Sequence, residues 1–159
     1  MDAILLFSHG SLLCGAGETL QGVAERLCAR GDAPIVEVGY LNYSEPTFET
    51  TFARCVALGA TRVVVVPYFL VAGKFVQVDL PRRVTEIQGQ YPEIEILLAD
   101  ALGFHPLMED ALEACAVSAR PPAAWRETTE QIAHVCRANP RCPRFGTGAC
   151  PGGTRGGSE

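Results

Sequence analysis

Apolar residues recur along the first 117 positions in two alternating rhythms. Residues 3–8, AILLFS, are a short apolar run closed by Ser8, which reads as a buried strand. Residues 17–31 space Leu20, Val23, Ala24 and Leu27 at helical intervals and stop at Gly31, a residue suited to a helix end. The pair then repeats. A strand is predicted at 35–41 (IVEVGYL), followed by a helix at 45–59 with Phe48, Phe52, Cys55 and Val56 on one face. The most apolar strand comes next, at 61–70, then a helix over 74–91, a strand at 93–100 and a helix at 105–117. Pro81 lies inside the third helical stretch and predicts either a kink or a loop that runs up to the true helix start, because proline cannot donate to the helix ladder.

Strands and helices alternating in this way require right-handed crossovers, hence a parallel sheet with helices on both faces. The expected fold class is α/β, a three-layer sandwich around a four-stranded parallel sheet of order 2-1-3-4, with the valine run at 63–66 in a central strand. The pattern fades after residue 118. Residues 119–159 hold the adjacent Pro121 and Pro122, a short helical stretch near 123–137, and an end rich in Gly, Pro and Arg. The expected division is an α/β domain at 1–118, then a linker, a short helix and a partly disordered tail at 119–159.

Composition narrows the function classes. The chain has 159 residues, 48% of them hydrophobic, and its net charge of −5 comes from 18 acids against 13 bases with no basic stripe. That argues against nucleic acid and for a small-molecule partner. No apolar run approaches bilayer length and the first residues lack the basic start of a signal peptide, so no membrane partner and a cytoplasmic location are expected. Cys14, Cys28, Cys55 and Cys115 are scattered rather than arranged as a framework, which predicts folding without disulfides.

In an open parallel sheet, ligands bind beyond the carboxyl ends of the strands, where the strand-to-helix loops converge. Here those loops carry SHGS (8–11), NYSEP (42–46), PYFLVAGK (67–74) and DALGFHP (100–106), so His9, Asn42, Glu45, Lys74, Asp100 and His105 approach one edge. His9 is the leading candidate, since an imidazole serves as metal ligand or base near neutral pH. The residues alone leave a structural peg as open as a functional group. Gly10 beside it favours function by allowing a ligand close to the backbone. Glu45 and His105 also read as helix-start residues, and Lys74, Arg82 and Arg83 as either a solvated face or a landing site for a polycarboxylate. SHGSLLCGAG has neither G-x-G-x-x-G nor the Walker lysine, which argues against nucleotide binding.

Taken in order and spacing from about residue 3 to residue 117, LLFSHGS, VEVGYLNYSEPTFE, GATRVVVVPYFLVAGKFVQVDLP and LADALGFHPLMEDAL resemble the CbiX-type sirohydrochlorin chelatases, the small class II chelatases. The resemblance implies a chelatase-like fold and ATP-independent insertion of a divalent metal, cobalt or iron, into sirohydrochlorin on the way to cobalamin or sirohaem. The metal is then a substrate. It also implies a homodimer, or pairing with a second chelatase half, around a shared cleft. His9 falls on the family's first active histidine and would be metal ligand or base.

Two other family positions differ here: a second histidine is replaced by Phe75, and an acid at the end of the second strand by Asn42. Phenylalanine has no donor atom and an amide is a poor base, so Glu45, in the same loop as Asn42, is the candidate second catalytic group. Ser8, Gly10, Asn42, Lys74 and Arg82 are the candidate substrate-binding residues. The departures keep a second reading open, a chelatase-like half that binds tetrapyrrole as a non-catalytic partner subunit.

Cys136, Cys142 and Cys150 cluster in the tail. Clustered thiolates point to a metal or iron-sulfur centre, which takes four ligands and would need Cys115, His134 or another chain to complete it. Their irregular spacing points equally to ordinary free thiols.

Overall fold

The computed structural model of the protein describes residues 1–11 and 18–124. The tail cysteines Cys136, Cys142 and Cys150, together with Cys14, His134 and the helix expected over 123–137 beyond its first positions, lie outside the described residues.

The chain runs β1 (Asp2–Ser8), α1 (Glu18–Arg30), β2 (Ile35–Tyr40), α2 (Phe48–Ala57) and β3 (Arg62–Pro67). A wide helical turn (Phe75–Asp79) then leads into α3 (Leu80–Gln90), followed by β4 (Glu95–Leu98), a 3-10 turn (Leu102–Phe104) and α4 (Leu107–Val117). The strands form one sheet, parallel as the alternation of elements required, in the expected order β2-β1-β3-β4.

The period-two alternation of β1 divides the core in two. Ala3, Leu5 and Phe7 face α2 and α3, where they join Phe48, Phe52, Val63, Val65, Leu80 and Ile87. Leu6 and Ile4 face the other way and meet Leu20, Val23 and Ala24 of α1 with Val38 and Tyr40. Gly39 brings α2 close to β2: a Cβ there would lie 3.1 Å from Phe48 Cα. The bare backbone lets the buried Thr51 hydroxyl donate to the Val38 carbonyl at 3.0 Å.

Among the departures from expectation, three are boundaries set by prolines and one concerns packing. The third strand ends at Pro67 rather than 70, because proline has no N–H to extend the ladder, and Tyr68 instead donates to the Phe7 carbonyl at 2.7 Å. The second helix starts at Phe48 rather than 45, since a residue preceding proline is pushed out of helical geometry and Glu45 precedes Pro46. Thr47 caps it, its hydroxyl accepting the Thr50 N–H at 3.2 Å. Pro81 sits in the first turn of α3, where its missing donor costs nothing. The helical path before it is widened rather than broken, with the Leu80 N–H donating to the Phe75 carbonyl five residues back.

The fourth departure concerns α4, which was expected to help cover the sheet. None of its residues is buried, and Leu107, Leu112 and Val117 are 65%, 61% and 84% exposed. On β4, Leu97 and Leu98 are 42% and 43% exposed. Helices do lie on both faces, but among the described residues the β4 end of the sheet is left open. Among the described residues no helix is long and apolar enough to cross a membrane, and Cys28, Cys55 and Cys115 are free thiols.

Candidate active site at the carboxyl edge

Backbone pairing of β1 with β2 does not stop at the strand ends. The Leu41 N–H donates to the Ser8 carbonyl at 2.8 Å and the Asn42 N–H to the His9 carbonyl at 3.0 Å. Ser44 then brackets Ser11, its hydroxyl accepting the Ser11 N–H at 3.0 Å and donating to the Ser11 carbonyl at 3.1 Å. His9 is therefore carried on a loop clamped at both ends. Gly10 is what permits the clamp: its φ is +85°, and a Cβ would stand 1.9 Å from the Asn42 carbonyl oxygen. The space freed by its missing side chain is filled by the neighbouring loop.

The His9 ring is half-buried, and its Nδ1 lies 3.3 Å from the Gly10 carbonyl oxygen. A carbonyl only accepts, so this long contact places the proton on Nδ1 if it is a hydrogen bond, and Nε2 is then the nitrogen able to take a proton or a metal. Two aromatic rings flank it. The centroid of Phe75 is 5.0 Å from that of the imidazole and the centroid of Tyr43 is 5.4 Å away, both tilted by 51°. Phe75 rests in turn on Phe69 at 6.4 Å, and Phe69 on the buried Phe7 at 5.8 Å, so the bracket is rooted in the core. Tyr43 holds a left-handed backbone, φ 62°, a conformation uncommon for a bulky residue and found where function holds the chain in place.

The other expected residues divide into those at this edge and those already engaged. Ser8 closes β1, and Asn42 joins the His9 loop through its backbone while its side chain is exposed. Glu45 is exposed in the loop ahead of α2 and not on the helix. Lys74 is exposed immediately before the wide turn that carries Phe75, with no ion pair among the described residues. Arg82 pairs with Glu86 one turn along α3 at 3.0 Å, and Arg83 pairs with Glu49 of α2. Both arginines thus have structural partners. His105 is exposed and its Nδ1 accepts the Leu107 N–H at 3.2 Å, the helix-start role. Asp100 is exposed beyond β4.

Among the described residues, no group of three or more His, Cys, Asp or Glu side chains is placed to hold a metal ion. The suggestion of an iron-sulfur centre gains no support, since its three cysteines lie outside the described residues. Sequence reasoning missed Tyr43 and Phe69 as neighbours of the site. The available signal was an aromatic residue in each of the two loops flanking the His9 loop.

The carboxyl edge of this open parallel sheet carries the half-buried His9 with the rings of Tyr43 and Phe75 beside it, on an α/β fold of the chelatase-like class. The CbiX family model matches residues 3–119, and the chain belongs to that family. The sirohydrochlorin ferrochelatase of Priestia megaterium is 32% identical over 112 residues, which cover 70% of this chain and 42% of that protein. The sirohydrochlorin cobaltochelatase of Methanocaldococcus jannaschii is 37% identical over 91 residues, covering 57% of this chain and 64% of that one. Among solved structures, the sirohydrochlorin chelatase SirB of Bacillus subtilis subspecies spizizenii in complex with cobalt superposes with a TM-score of 0.69 at 29% identity, over 84% of this chain and 60% of that one. A putative cobalamin biosynthesis CbiX protein from Marinobacter aquaeolei VT8 gives 0.64 at 26% identity, over 74% and 95%. The chain spans less than half the length of the Priestia ferrochelatase.

Proposed function

We propose that this protein inserts cobalt or iron, as a divalent substrate, into sirohydrochlorin without ATP, with His9 as the group that meets the metal or the leaving protons. The observation that carries the reading is the half-buried imidazole of His9 at the sheet edge, with Nδ1 facing the Gly10 carbonyl, in a chain whose relatives are ferrochelatases and cobaltochelatases of sirohydrochlorin.

Metallation exchanges one dication for two pyrrole N–H protons. A neutral imidazole serves either side of that exchange, as a borderline ligand to Co²⁺ or Fe²⁺ or as a proton acceptor, though one nitrogen does only one of these at a time. Glu45, exposed in the adjoining loop, is the proposed second acceptor. Ser8, Gly10 and Asn42 would border the bound macrocycle, and Lys74 is the better partner for its carboxylates because Arg82 would have to share itself with Glu86. The exposed thiols Cys28 and Cys115 suit a reducing, cytoplasmic setting.

A second copy, or a second chelatase half, is proposed to complete the cleft. The support is α4. An 11-residue helix with no buried residue is marginal by itself, and the apolar Leu107, Leu112 and Val117 stand exposed beside an open β4 end. The donor-free ring of Phe75 beside His9 supports, as a second reading, a tetrapyrrole-binding half that lends its cleft to a catalytic partner.

The test is anaerobic incubation of the metal-free protein with sirohydrochlorin and Co²⁺ or Fe²⁺, following the absorbance change beside a His9→Ala control. Acceleration that vanishes in the variant supports the chelatase. Tetrapyrrole binding without acceleration supports the partner subunit.

A further inference from the structure

The bracket around His9 carries a consequence for the order of events, which rests on the chelatase reading above. Protein sites that hold a divalent transition metal supply three or four ligands, and among the described residues no group of three or more His, Cys, Asp or Glu side chains is placed to do so. Beside His9 stand the rings of Phe75, which has no donor atom, and Tyr43. Two imidazoles on one ion, each with its nitrogen roughly 2.1 Å from the metal, have ring centroids about 5 Å apart at tetrahedral angles. The Phe75 centroid is 5.0 Å from that of His9, the separation that a second imidazole on the same ion would take.

The same two neighbours offer something a bare metal cannot use. Tyr43 and Phe75 are 48% and 37% exposed, and their rings flank the imidazole on loops tied to the core. Exposed aromatic faces rooted in packed structure are a stacking surface for a flat conjugated ligand. The left-handed backbone of Tyr43 keeps one of those faces next to His9.

We propose that the Tyr43–His9–Phe75 bracket imposes an order: the metal-free tetrapyrrole stacks first, and the dication is captured only afterwards, by His9 Nε2 together with the macrocycle's own nitrogens. Phe75 and Tyr43 are then specificity-determining residues. They give the site affinity for the planar partner and deny it affinity for the free ion.

Equilibrium dialysis of the full chain, anaerobically, with Co²⁺ alone, metal-free sirohydrochlorin alone, and both together separates the cases. The expected result is tetrapyrrole binding without metal, and Co²⁺ retention only when tetrapyrrole is present. Phe75→Leu, which keeps apolar bulk and removes the ring, is expected to weaken tetrapyrrole binding about three- to tenfold, and Tyr43→Leu similarly. Phe75→His is expected to create Co²⁺ binding in the absence of tetrapyrrole, at least tenfold tighter than wild type and with a changed visible cobalt spectrum, lost again when combined with His9→Ala. Tight, His9-dependent Co²⁺ binding by the wild-type protein alone overturns the order while leaving the chelatase reading intact. Unchanged tetrapyrrole affinity in both leucine variants overturns the stacking role. Failure of the wild type to bind sirohydrochlorin at all overturns both readings together.

Discussion

The two ends of the sheet are built on opposite terms. At the β1–β2 end the loops are bonded to one another, Gly10 is pressed against the Asn42 carbonyl, and His9 is backed by aromatic contacts reaching Phe7 in the core. At the β4 end, Leu97 and Leu98 are exposed and α4 buries nothing. A clamped edge suits chemistry that needs a fixed nitrogen, and an uncovered apolar end suits a surface awaiting a partner. Both properties follow from how much of each element is enclosed, not from its composition.

The sharpest way to break the contrast is to empty the clamped side. Phe7 is fully buried and touches both Phe48 and Phe69. Phe7→Ala should cost about 3–5 kcal/mol in urea unfolding. At the other end, Leu112→Ala should change unfolding of the isolated chain by less than about 0.5 kcal/mol. Leu112→Asp should instead lower the mass measured by light scattering if a second copy covers α4. An unchanged mass would count against that pairing.

A comparison within the glycines comes next. Gly10 and Gly31 both have positive φ, +85° and +79°, but a Cβ on Gly10 strikes Asn42 whereas one on Gly31 meets nothing within 4 Å. Gly10→Ala should destabilise by about 2–4 kcal/mol and abolish any metallation, because the loop must move. Gly31→Ala should cost only about 1 kcal/mol, from backbone strain alone. Equal losses would mean that the clamp at Gly10 does not hold in solution.

Smaller is the alkaline behaviour of Cys55, whose thiol is buried in the core and pushed up to about 12 by that burial and by the neighbouring Glu37. A raised folded-state value means that the unfolded chain gives up this proton first as pH rises. The stability tied to the neutral thiol is whole below pH 9 and declines as the pH climbs toward 12, by at most about 1.4 kcal/mol per pH unit. Cys55→Ala should flatten that part of the stability profile, and native-state thiol labelling should reach Cys28 and Cys115 but not Cys55. The smallest effect belongs to Arg82→Ala, which removes an exposed pair with Glu86 and should change unfolding by less than about 0.5 kcal/mol.

Much of the fold was legible because periodicity reports burial directly. The alternation of short apolar runs with helical spacing required a parallel sheet, and the order β2-β1-β3-β4 followed. The errors fell where a single residue's backbone chemistry outweighs pattern: Pro67 ending a strand, Pro46 holding Glu45 out of a helix, Pro81 accommodated by a wide turn. His9 was legible as a candidate because strand ends converge at that edge. Its neighbours were not, since nothing in the spacing of Tyr43, Phe69 and Phe75 says that their rings meet near one imidazole.

By itself the chain's sequence determined the layers, the strand order and the family, because each depends on patterns local to a strand, a helix or a motif. The tertiary structure alone decided that Gly10 serves the clamp, that Arg82 and Arg83 are already paired, that His9 lies beside the rings of Tyr43 and Phe75, and that α4 stands exposed. These are contacts between segments far apart in the chain, and distance across a fold is set by packing rather than by spacing along it.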